Sequence, residues 1–97
     1  MLDLSSAKKN DGSIIRSSLG NSIIVTFVED HPEIVQTLFN LKKQYGGIDV
    51  MNVPDTKKYY IEISDKSTWD LSVIADIIYN YVKEKGLNMT YNSEDFK

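Results

Sequence analysis

Ninety-seven residues make one domain at most, long enough for a single modest core without covalent staples. A hydrophobic share of 41% and a charged share of 26% are those of an ordinary soluble globular chain, and the net charge of −3 argues against a duplex-binding protein, whose affinity comes mainly from phosphate neutralisation. The absence of cysteine excludes disulfides, thiolate metal sites and cysteine nucleophiles, and fits a reducing, cytoplasmic setting.

The chain opens on "MLDLSSAKKNDG" (residues 1–12), which is polar, lacks periodicity and reads as a loose arm. It carries an acid at position 3 and no apolar stretch of its own, so it is not expected to be a signal peptide. The run "SIIRSSLGNSIIVTFV" has two readings: a hairpin turning at Leu19-Gly20-Asn21, or a strand in its second half alone. Ser22 to Val28 is β-branched almost throughout and predicts a strand. Residues 13–19 remain open as an additional N-terminal strand. From Pro32 to Tyr45 the residues Ile34, Val35, Leu38, Phe39, Leu41 and Tyr45 recur at helical spacing, and Gly46-Gly47 ends the helix.

"IDVMNV" and "KKYYIEIS" flank "PDT", a turn signal, and predict an antiparallel hairpin. A second helix is expected from about Thr68 to Lys85, closed by Gly86 and opened by a Ser67–Asp70 capping box. "LNMTYN" reads as a last short strand and "SEDFK" (93–97) as a polar tail, leaving a single domain over 13–92. No apolar run approaches the roughly 20 residues a helix needs to cross a bilayer, so no membrane partner is expected. The order β-α-β-β-α-β predicts an α+β, ferredoxin-like sandwich: an antiparallel sheet with both helices on one face.

The stretch "EDHPEIVQ" concentrates Glu29, Asp30, Glu33 and the single histidine, His31, around Pro32. Asp30 and Glu33 have capping-box spacing, Pro32 suits the first turn, and carboxylates there face the positive end of the helix dipole. A hard-metal site needs oxygens converging from several directions, whereas adjacent residues at a strand end diverge. His31 without an oriented partner cannot run acid–base chemistry. Asp30 is therefore expected to cap the helix. With no cysteine and no phosphate-cradling glycine loop, neither catalysis, a metal nor a cofactor is expected.

Residues 28–53, "VEDHPEIVQTLFNLKKQYGGIDVMNV", resemble the opening of an ACT domain: a strand, an Asp-x-Pro turn, an amphipathic helix, then glycine and a second strand. Asp30, Pro32, Leu38 and Gly47-Ile48 carry the resemblance. It implies a βαββαβ module that binds amino acids at domain interfaces and regulates enzymes. Glu33 stands where the family places a small glycine after the proline, the residue that lets a ligand approach the loop backbone. RNA-recognition modules share the topology, but period-two alternation in "KKYYIEI" sends Tyr59, Ile61 and Ile63 to one face and leaves Tyr60 beside acidic Glu62 on the other. RNA would want stacked aromatics and positive charge there.

Two apolar surpluses remain. The strand at 22–28 has Ile23, Val25 and Phe27 on one face but Ile24, Thr26 and Val28 on the other, where a one-sided sheet would be polar. Met51 and Val53 fall on that second face, which either the N-terminal arm or a partner is expected to cover. In the second helix Leu71, Ile74, Ala75, Ile78 and Val82 suffice for a core stripe, yet Trp69, Val73, Ile77 and Tyr81 recur every four residues beside it, either as a wider core face or as an interface. The interface residues expected are Trp69, Val73, Ile77, Tyr81, Ile24, Val28, Met51 and Tyr60, with the helical stripe slightly favoured. The expected function is a non-enzymatic protein-interaction or regulatory module that binds itself or another protein, such as a phage or mobile-element accessory acting on a host factor. An ACT-like sensor of a small ligand is the first alternative. A nucleic-acid binder or metal-dependent nuclease is the second, with nucleic acid disfavoured by charge.

Overall fold

Alternation in "GSIIRS" resolves the open N-terminal segment into a strand, Gly12–Ser17 (β1), in the computed structural model, which describes residues 10–17, 20–64 and 70–94, Glu94 by its backbone alone. There follow β2 (Ser22–Phe27), α1 (Pro32–Gln44), β3 (Ile48–Asn52), β4 (Lys58–Ile63), α2 (Leu71–Glu84) and β5 (Met89–Glu94). Leu19, Ser67 and Trp69, each given a role by the sequence, lie outside the described residues.

The five strands form one mixed sheet in the order β3-β4-β2-β1-β5. β1 is antiparallel to β2 and parallel to β5, while β4 is antiparallel to both β2 and β3. The α+β class and the two helices stand; the ferredoxin-like strand order and the wholly antiparallel sheet do not. The reason is local. β1 reaches β2 as a hairpin neighbour and occupies the edge of β2 that the last strand would otherwise take. β5, returning through α2, pairs with the outer edge of β1 instead, and the direction it inherits makes that pair parallel.

Both helices cover one face. Ile34, Leu38 and Leu41 of α1 and Ile74, Ala75, Ile78 and Val82 of α2 join Ile14, Ile23, Val25, Phe27, Ile48, Val50, Ile61, Ile63 and Met89 in a single buried cluster. Every strand residue in it has the parity that points to the helices. β5 is tied to α2 by the Tyr91 hydroxyl, which donates to Asp76 Oδ1 at 2.9 Å. Partial burial, then the Asp76 carboxylate, push the Tyr91 phenol above its ordinary value. The folded state thus holds that proton more tightly than the unfolded one. The contribution is present below the ordinary phenol range and is lost as pH rises through the folded value.

The helix starts differ from expectation. The N-cap of α1 is His31, not Asp30, and no side chain caps it. The residue before a proline is pushed out of the helical region, so Pro32 at the first helical position forces the non-helical cap onto His31 and leaves Asp30 one residue too early. In α2 Asp70 is itself the N-cap, accepting from the Ser72 amide at 2.7 Å, rather than the third-position partner of Ser67. The far end of α2 is a Schellman motif: Gly86 takes φ +83, its amide donates to the Lys83 carbonyl at 3.0 Å, and the Leu87 amide donates to Val82 at 3.0 Å. Asp70→Ala should therefore cost about 1 kcal/mol, whereas Asp30→Ala should change stability by less than about 0.5 kcal/mol. Thermal melts of the two variants check the contrast.

Candidate interaction face

The face of the sheet away from the helices collects the apolar residues that the core does not use. Ile15 pairs with Ile24, Ile24 with Tyr60, and Tyr60 with Met51, so four strands contribute one continuous cross-strand row. Asn92 of β5 continues it beside Ile15. Met51 is 47% exposed and Tyr60 36%, while Ile15 and Ile24 are half-buried by their neighbours in the row. Val28, 55% exposed, continues the alternation of β2 just past its end, where its amide donates to the Asp11 carbonyl at 3.0 Å.

Polar residues flank the row, separated by charge. Toward one end of the strands lie Ser13, Thr26 and Lys58, which are paired in register. Toward the other lie Ser22, Glu62 and Asp49, also in register. Glu62 and Asp49 are thus like charges directly opposite each other, a destabilising pair in a sheet. Lys42 of α1 reaches Asp49 at 3.5 Å. Among the described residues neither Glu62 nor Lys58 has an ion-pair partner.

Four expected interface residues, Ile24, Val28, Met51 and Tyr60, are thus brought onto one face. Ile15, Lys58 and Glu62 are the additions. The signal for Ile15 was the alternation in "GSIIRS", legible only once that segment is taken as a strand. The helical stripe separates. Val73 is 47% exposed, but Ile77 and Tyr81 are half-buried against the core and line a small cleft of about 170 Å³ with Thr37, Leu41 and Tyr45 of α1 and its C-cap. Tyr81 is held inside the fold by a 3.0 Å hydrogen bond between its hydroxyl and that of Thr37, and Lys85 sits over its ring at 5.5 Å.

A second place is the corner where β2 runs into α1. His31 packs on Phe27 with ring centroids 5.5 Å apart, and Tyr59 meets Phe27 edge-on at 5.9 Å. These rings line a cleft of about 400 Å³ with Lys57, Gln36 and Val35. His31 Nε2 is buried there without a hydrogen-bond partner among the described residues. No three of His, Asp and Glu converge as metal ligands among the described residues, and none of the described helices is long and apolar enough to cross a membrane.

No family model, curated protein or solved structure matches the chain.

Proposed function

We propose that this chain is a small non-enzymatic protein-interaction or regulatory module that works through the open face of its sheet and associates with itself. One observation carries the reading: Met51, Tyr60, Ile24 and Ile15 form a single apolar row on a face that neither helix covers. A sheet with one wet face alternates apolar and polar residues, and here the alternation fails at the centre of that face. Contiguous apolar patches rimmed by polar residues mark interaction surfaces. The helical stripe has less to offer a partner, because Ile77 and Tyr81 are spent on contacts between α1 and α2.

Ile24→Glu tests the face. The side chain is half-buried and points away from the core, so the far-ultraviolet spectrum and cooperative melt should survive. Association measured by light scattering across the micromolar range should be lost. An Ile24→Glu protein that associates as the wild type does would refute the face as the binding surface. The aromatic cleft at Phe27, His31 and Tyr59 supports a second reading, a site for an amino-acid-type ligand; thermal stabilisation by a member of an amino-acid panel separates it from the first.

A further inference from the structure

We infer that the partner on the open face is a second copy of this chain, related by a two-fold axis that lies in the interface and runs across the strands along the Met51–Tyr60–Ile24–Ile15 row. The inference rests on the reading of that face as a self-associating surface, and adds to it the symmetry axis and the charge pairing that orient the two copies.

The charge pattern selects the axis. On β4, Lys58 and Glu62 lie two residues to either side of Tyr60 on the open face, about 7 Å from it in each direction. An axis along β4 would keep the ends of the strands level, setting Lys58 on the partner's Lys58 and Glu62 on the partner's Glu62. An axis across the strands reverses their ends. It stacks Tyr60 on the partner's Tyr60 and Ile24 on the partner's Ile24, and it brings Lys58 to the partner's Glu62 twice, once on each side. Packed sheets stack about 10 Å apart with strands aligned to within roughly 30°, a separation that a lysine and a glutamate span together.

Among the described residues these groups lack such a partner. Glu62 faces Asp49 across the β3–β4 ladder, Lys42 reaches Asp49, and Lys58 meets no carboxylate among the described residues. The extent of the face also fits. Five strands of five or six residues present a surface of about 24 Å by 20 Å, which places a face-to-face dimer near the small end of specific interfaces, roughly 1,000–1,200 Å² in total. An interface of that size is expected to be reversible at micromolar concentration.

The experiment is sedimentation equilibrium on the full chain as wild type, Lys58→Glu, Glu62→Lys, and an equimolar mixture of the two variants. In each variant alone the reversed axis places like charges together at both pairs, so the dissociation constant should rise about tenfold or more. In the mixture one chain carries two acids and the other two lysines at these positions. A heterodimer should form with an affinity within a few-fold of the wild type. Raising the salt concentration should weaken the wild-type dimer, since pairs at the rim of an interface are screened; this reading needs no variant to fold.

A wild-type monomer throughout the micromolar range would overturn the second copy as partner. Variants that dimerise normally, a mixture that fails to recover, or a salt-independent dimer would leave the second copy in place and overturn the Lys58–Glu62 pairing, and with it the axis across the strands. If one of these last three results comes with a wild type that associates and an Ile24→Glu protein that does not, the open face survives as the binding surface and only the two-fold arrangement falls. If Ile24→Glu also associates normally, the face itself falls.

Discussion

Gly12→Ala should destabilise the protein by about 3 kcal/mol or more, enough to free the N-terminal strand from the sheet. Gly12 opens β1 at φ +147, a conformation that residues with a side chain rarely adopt. A Cβ there would overlap the carbonyl of Thr26 on β2 and meet Met89 Cε of β5 at 3.1 Å. Backbone on one side and a packed methionine on the other leave it no direction in which to relax. The neighbouring hydrogen bonds show what this close approach secures. The Asp11 carbonyl accepts from Val28 at the end of β2, while the Asp11 amide and carboxylate bond the carbonyl and amide of Asn88 at 2.9 and 2.8 Å. Asn10 Oδ1 accepts from the Gly12 amide at 2.8 Å. Losing this junction leaves β5 unpaired, because β1 is its one neighbour in the sheet. Urea unfolding checks the expectation. A loss below about 1 kcal/mol would show that β1 is not locked between β2 and β5 at this point.

That junction is also where the sequence is least legible. Gly12 closes a polar stretch of residues 1–12 in which nothing local announces a strand. The β1–β2 hairpin is a neighbour contact and could be read as one of two choices. The β1–β5 pairing joins Ile14 to Tyr91, residues far apart in the chain, and strand order of this kind depends on which edge is already occupied rather than on either segment. By contrast the helices and the β3–β4 hairpin were legible because each is written locally: helical spacing in "PEIVQTLFNLKKQ" and "LSVIADIIYNYVKE", and a "PDT" turn whose Asp55 takes φ +63. Cap positions lie between these cases. Acid spacing alone pointed to Asp30, while the constraint that Pro32 places on His31 decided the matter.

The candidate face was half legible for the same reason. Alternation puts Ile24, Val28, Met51 and Tyr60 on the sides of their strands that they occupy, since side-chain direction follows from period two alone. Registry across strands does not, and it is the registry that turns separate residues into the row Met51–Tyr60–Ile24–Ile15. The described part of the helical stripe divides for the opposite reason. Spacing placed Val73, Ile77 and Tyr81 together, but only the position of α1 reveals that Thr37 takes the Tyr81 hydroxyl.

Ile61→Ala should cost about 2–5 kcal/mol through the lost transfer energy and the cavity left behind, and should leave the affinity of the folded protein for its partner unchanged. Ile61 is fully buried, faces Ile23 of β2 and Val50 of β3 in register, and belongs to the buried cluster that both helices join. Its chain neighbour Tyr60 occupies the opposite face, in the apolar row. If the proposed face is the binding surface, one strand carries stability on its odd positions and association on its even ones, and the two measurements should separate them. Ile61→Ala should lower the urea midpoint with its slope unaltered while light scattering below the transition matches the wild type. Ile24→Glu should do the reverse. The decisive comparison is with Tyr60→Ala. A one-residue slip of β4 would exchange the faces of Tyr60 and Ile61, so a greater loss of stability in Tyr60→Ala than in Ile61→Ala would overturn the register on which both the core and the interaction face depend.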